Sequence, residues 1–378
     1  MDGNKNELKE LAALFLKLGL IGFGGPAAHI AMMQHEVVTK RQWLTEQHFL
    51  DLVGATNLIP GPNSTELAIH IGYERGGWKG LTIAGLCFIL PAVLITGILA
   101  WLYGSYGQLP AVQPFIYGIK PAIIAIILAA VFPLAKRSLK SVSLGIIGFA
   151  ALVLALLGVN ELYIMFGAGV LAFLLASFRK TRGGTGLRSM FPAVLLQIPG
   201  HILHSSATLN LFLVFLKICA VLYGSGYVLF AYIDSELVAQ GLLSHQQLTD
   251  AIAAGQLTPG PVFSAVTFIG YQVNGIPGAV AATVGVFLPS FLFVALLNSL
   301  VRKMRSSVAF SAFLDAINIA SVSVIAVVCF LLARDAVTDW RTVVIGLASL
   351  AVAFRFKEIN SAAIILSGAL AGFILTLV

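Results

Sequence analysis

A chain of 378 residues with 58% hydrophobic and only 10% charged side chains cannot cover a water-facing surface, since a soluble domain carries roughly 25% charge. The net charge of +7 would point to nucleic acid in a soluble protein, but here the basic residues fall in short loops between apolar runs, where orientation in a membrane accounts for them. Composition thus excludes a soluble domain and a nucleic-acid partner, and it requires an exterior that faces a lipid bilayer.

The polar start Met1–Glu7 lacks a small-residue cleavage site and is expected to be retained. Apolar segments near 9–33, 79–103, 113–134, 141–157, 160–178, 208–232, 279–300, 308–333, 341–354 and 360–378 are candidate spans, a crossing needing about 20 residues. Two more apolar segments, near 49–72 and 248–270, are interrupted by Pro60-Gly61-Pro62 and Pro259-Gly260-Pro261. Residues 34–48 and 234–247 are too polar to span and read as amphipathic or loop segments. Cys87, Cys219 and Cys329 stand alone in apolar runs, with no spacing for a metal or redox pair.

Sliding the chain on itself reveals a repeat. Leu14-Phe15-Leu16-Lys17 matches Val214-Phe215-Leu216-Lys217 and Glu36 falls on Glu236, both at an offset of 200. The Pro-Gly-Pro triplets align at 199, and Leu90-Pro91 matches Leu288-Pro289 at 198. The halves run over about 1–188 and 200–378. If each Pro-Gly-Pro segment dips in and returns on one side, five crossings remain per half and the second half is inverted. Sixteen of the 23 Lys and Arg residues, Arg75, Arg137, Lys140 and Arg302 among them, then share one side, against four on the other. Parallel halves would place the basic loop 301–306 and the charge-free loop 104–112 on one face, so inversion is preferred. The predicted class is an all-α polytopic membrane protein. It has about ten transmembrane helices plus two re-entrant Pro-Gly-Pro segments, arranged as an inverted repeat.

Inverted repeats with broken helices mark transporters, and irregular backbone at membrane depth is tolerated where it lines a cavity. A half-helix starting at Pro62 would aim the N–H groups of Asn63, Ser64 and Thr65 at an oxyanion. The matching start after Pro261, Val262-Phe263-Ser264, is less polar. A structural kink is the competing explanation. Gly24 and Gly25, within Gly22-Phe23-Gly24-Gly25-Pro26, allow close packing, a hinge or exposed backbone donors. Lys17 and Lys217 occupy matched intramembrane positions, where a charge marks a pathway or a buried partner and a long lysine can instead snorkel. They are candidate attractors of a dianion. Glu66, His70 and Glu74 share one face of the half-helix. Glu66, opposite Ala265 in the repeat, is a candidate proton carrier or partner of Arg75 or Lys17. Glu36 and Glu236 are candidate gates or solvated loop acids, and His29 reads as a buried polar contact. No metal, cofactor or nucleotide loop is expected, nor any nucleophile or metal constellation of a membrane enzyme.

The run Phe15 to Gly19, continuing through Gly22-Phe23-Gly24-Gly25-Pro26-Ala27-Ala28-His29-Ile30, together with Ile59-Pro60-Gly61-Pro62, resembles the CHR family of chromate transporters. Thr258-Pro259-Gly260-Pro261 and the fused length resemble its long-chain members, although the second half lacks the full Gly-Gly-Pro run. The resemblance implies an inner-membrane exporter of chromate that confers chromate resistance, with sulfate as a structural analogue. The residues by themselves indicate a tetrahedral dianion, leave import or channel conduction open, and leave a homodimer open.

Overall fold

The structure, a computed structural model, describes residues 2–23, 25–107, 109–181, 207–223, 226–304, 308–356 and 359–377. These form fourteen α-helices and no strand.

Helix α1 (Asp2–Ile21) stops at the glycine run, and α2 (Gly25–Gln34) restarts with Gly25 at φ +76° and Pro26 in its first turn. Proline is harmless there because a first-turn N–H has no intrahelical acceptor. The apolar run read as one span over 9–33 is therefore two helices and a break. A π-helical turn (His35–Lys40) follows, then α3 (Glu46–Thr56), whose first turn is capped by Thr45 Oγ1 accepting from the His48 N–H at 3.3 Å. Pro60-Gly61-Pro62 separates α3 from α4 (Asn63–Tyr106). Helix α4 folds back on itself at Gly76-Gly77, with Gly77 at φ +57°, and the backbones of Gly72 and Gly80 touch where no Cβ would fit. The half-helix 63–75 thus packs against the longer arm 78–106. Helices α5 (Gln113–Ser138), α6 (Val142–Leu156) and α7 (Glu161–Thr181) complete this half.

The second half repeats the order: α8 (Ala207–Val221), α9 (Val228–Ile233), a π-helical turn (Asp234–Val238), and α10 (His245–Leu257). After the second Pro-Gly-Pro, a 3-10 turn (Val262–Ser264) leads into α11 (Ala265–Met304). Helix α11 doubles back at Asn274-Gly275, bringing Gly270 against Gly278. Helices α12 (Val308–Ala336), α13 (Trp340–Arg355) and α14 (Ser361–Leu377) end the chain.

Among the described residues four segments, 63–106, 113–138, 262–296 and 309–336, are long and apolar enough to cross a bilayer. Residues 142–156, 161–177, 207–221 and 361–377 form shorter apolar helices. Ile146, Phe149, Leu347 and Leu366 point outward, a surface suited to lipid. The protein is an all-α, multi-pass membrane protein.

The halves interlock. Helices α1 and α8 pack on α4 and α11, which meet at the centre, while α5 packs on α13 and α14 of the other half and α12 on α6 and α7. Gly118 of α5 lies against Gly368 and Gly372 of α14, and a Cβ on Gly372 would sit 2.6 Å from the Gly118 Cα. Small residues bring those backbones together, as membrane helix pairs require in the absence of a hydrophobic drive between them. Each half therefore completes its core with helices of the other.

Candidate substrate site at the paired helix breaks

The four breaks converge in two reciprocal contacts. The Gly61 N–H donates to the Leu222 carbonyl at 2.8 Å, and the Gly260 N–H donates to the Gly22 carbonyl at 2.7 Å. Leu222 and Gly22 each lie just past the end of α8 and α1, so each Pro-Gly-Pro loop is held by the broken first helix of the other half. Both glycines have positive φ, +133° and +91°, which a side chain rarely adopts. Gly22 also accepts from His29 Nε2 at 2.8 Å. A carbonyl only accepts, so Nε2 carries the proton and, in the neutral ring, Nδ1 accepts from the Ser64 hydroxyl at 3.3 Å. His29 thereby ties α2 to the first half-helix, as a buried polar contact.

The half-helix starts differ from the expected set of free donors. The N–H of Thr65 is turned back to the Pro62 carbonyl at 2.8 Å and that of Ser264 to Pro261 at 2.9 Å. Among the described residues the N–H groups of Asn63 and Ser64 find no backbone acceptor, so they remain at the positive helix end. On the second side the hydroxyls are spoken for: Thr96 Oγ1 donates to Thr258 Oγ1 at 3.2 Å or to Ser264 Oγ at 3.1 Å.

Glu66 lies directly beneath Gly61, fully buried, its Oε1 3.4 Å from the Ser290 hydroxyl. Its Oε2, the Thr65 hydroxyl and both ring nitrogens of His70 are buried with no hydrogen-bond partner among the described residues. Such groups need a reason, because each forfeits its hydration. Neither cation weighed as a partner for Glu66 reaches it: Arg75 pairs with Glu7 at 3.6 Å and Glu10 at 3.9 Å, and Lys17 with Glu36. Glu74 meets His48 at 3.4 Å. The repeat is most unequal here. Glu66, Ser290, Cys219 and Tyr223 surround the first break, where the second has Ala265, Ala92, Gly19 and Phe23.

The matched lysines meet the matched acids. Lys17 Nζ donates to Glu36 Oε1 at 2.8 Å and Lys217 Nζ to Glu236 Oε1 at 2.7 Å. Each pair ties the first helix of a half to the π-helical turn beyond its break. Glu36 is 6% exposed, so the solvated-acid reading does not hold for it. Glu36 also receives Arg41, with Lys40 at 3.9 Å, whereas Lys217 is the ion-pair partner found for Glu236 among the described residues. Removing Lys17 leaves Glu36 compensated; removing Lys217 strands Glu236. Lys217→Met is therefore expected to destabilise the protein more than Lys17→Met, by about 1–2 kcal/mol after allowing for screening at these part-exposed sites. Thermal unfolding in detergent checks this, and equal losses would contradict it.

Comparison with known proteins now adds the family. The chromate transporter model matches residues 9–173 and again 209–373, the same repeat that the breaks define. The chain belongs to the chromate transporter family. It is 31% identical over 377 residues to the chromate transport protein of Cupriavidus metallidurans, covering 97% of this chain and 93% of that one. It is 30% identical over 377 residues to a probable chromate transport protein of Synechococcus elongatus, at 97% and 95% coverage. With the chromate transport protein of Pseudomonas aeruginosa it shares 28% over 382 residues, at 97% and 92% coverage. No solved structure matches the chain. Membership of a transporter family accords with a chain that is not an enzyme and with residence in the cell membrane.

In this family member the structure brings Pro60, Gly61, Pro62, Asn63, Ser64, Thr65 and Glu66 into one region with Pro259, Gly260, Pro261 and Ser264, whereas Gly25 opens α2 with nothing within 4 Å of where its Cβ would stand. Gly24 lies outside the described residues. His70 stands one turn further from the break, and Lys17, Lys217, Glu36 and Glu236 form the two outlying pairs. Sequence reasoning missed Ser290 and Thr96, both close to Pro289 and Pro91. The signal was present: setting Ser290 against Ala92 in the repeat exposes the same asymmetry as Glu66 against Ala265.

Proposed function

We propose that the protein exports chromate across the cytoplasmic membrane as a secondary active transporter and so confers chromate resistance. The observation that carries this reading is the reciprocal hold of each Pro-Gly-Pro loop by the opposite half, Gly61 to Leu222 and Gly260 to Gly22. Two equivalent contacts between inverted halves give a device in which one loosens as the other tightens, so that access alternates between faces. The Pro-Gly-Pro segments act as re-entrant elements, and the free N–H groups of Asn63 and Ser64 hold the dianion. The lysine–glutamate pairs latch the broken first helices, and Lys17 and Lys217 offer charge to the anion when a latch opens.

The inside-negative potential favours export of a dianion by about 4.6 kcal/mol per 100 mV, from about 2.3 per charge. That suffices without a nucleotide site; a proton or counter-anion exchange is the other source. In energised everted vesicles chromate is expected to accumulate in the lumen, excess sulfate to reduce its uptake, and cells carrying the gene to outgrow cells without it on chromate. Accumulation confined to right-side-out vesicles would establish the alternative, a sulfate or oxyanion importer.

A further inference from the structure

Beside the first break a cavity of about 260 Å³ opens between the end of α5 and the middle of α12. Asn57, Asn63, Arg137, Ser138, Asn318 and Ser321 line it together with the ion pair Lys140–Asp315, at 2.7 Å. We propose that this cavity is the capture site for the tetrahedral dianion, with Arg137 as its charged anchor, resting on the reading that the chain transports oxyanions.

Three observations converge. Arg137 lines the cavity and has no carboxylate within ion-pair distance among the described residues, so its guanidinium charge is uncompensated there. Asn63 spends one amide hydrogen on Asn57 Oδ1 at 2.7 Å and keeps the other, on the residue that opens the half-helix after Pro62. The cavity is one-sided: the repeat places Asp335 at the position of Arg137 and Thr338 at that of Lys140. An anion is thus attracted at the mouth on the basic side of the membrane and meets an acid at the equivalent position of the opposite mouth. Asp315 is the unfavourable element in the capture site, and Lys140 neutralises it.

The charges give opposite signs for two substitutions. Purified protein in detergent is titrated calorimetrically with sulfate, molybdate and chromate. Arg137→Gln is expected to weaken binding about tenfold, Arg137→Lys less, as loss of a charge-assisted hydrogen bond implies. Asp315→Asn frees Lys140 and is expected to tighten binding. In vesicles Arg137→Gln raises the KM for chromate. Unchanged affinity in both Arg137→Gln and Asp315→Asn, in a protein that does transport chromate, would overturn the capture site and leave the transport reading intact. Absence of binding of all three ions by the parent protein, together with absence of chromate uptake, would overturn both.

Discussion

Gly61→Val is expected to abolish chromate transport, and Gly61→Ala to reduce it more than about tenfold. Gly61 sits at φ +133°, a region that costs a residue with a Cβ about 1–3 kcal/mol. A Cβ there would also run into the Glu66 carboxylate and lie 2.8 Å from the Ser290 hydroxyl. Both are buried and packed, so neither can move aside without disturbing α11, and overpacking of this kind adds about 1–3 kcal/mol. The peptide that must shift is the one whose N–H holds Leu222 of the other half. Stability and transport therefore fall together at Gly61. At Gly260 a Cβ would meet Ala92 Cβ at 3.0 Å and the Gly19 carbonyl at 3.2 Å, so Gly260→Ala is the milder substitution. Uptake in everted vesicles and thermal unfolding of the two alanine variants check the order. A Gly61→Ala protein that transports at the parental rate would remove the crossed glycine contacts from the mechanism.

Much of this was legible because membrane chains write their architecture in runs of apolar residues, and because each half restates the other. The two Pro-Gly-Pro breaks, the matched lysines and acids, and the odd acid Glu66 were all visible as residues. Their partners were not. Lys17 and Glu36 are nineteen positions apart, and nothing in their spacing reveals that the break at Gly22–Gly25 folds α2 back so that the two side chains meet. The exchange of α6–α7 and α13–α14 between halves was equally hidden, since a repeat in sequence fixes what is equivalent and not what is adjacent. The cavity at Arg137 escaped notice for a similar reason. An arginine at a helix end carries an orientation signal whatever it faces, and Asn318 and Ser321 come from a helix whose overall composition is that of a membrane span.

Glu66→Gln is expected to make chromate transport insensitive to pH while leaving the fold intact. Among the described residues the carboxylate is buried under the first break without a cation, one turn from His70 along its own helix and close to Ser290 of α11 and to Cys219 and Tyr223 of the second half. A dianion held at Asn63 and Ser64 one turn away would repel a charged carboxylate there and not a neutral one. Proton and anion therefore favour each other: the site accepts the dianion with Glu66 neutral and rejects it with Glu66 charged. Glutamine keeps the shape and the contact with Ser290 but is always neutral. At low pH the variant and the parent should transport alike, and as pH rises the parent should fall behind by up to about tenfold per pH unit for a single proton. Taking the ratio at each pH cancels any change in the ion itself. In the parent, one proton should accompany each chromate, seen with a pH dye inside vesicles, and in Glu66→Gln none. A proton moving with the dianion lowers the charge exported from two to one and the electrical drive to about 2.3 kcal/mol per 100 mV. Identical pH profiles for the two proteins would free Glu66 of any coupling role and return the full dianion charge to the potential.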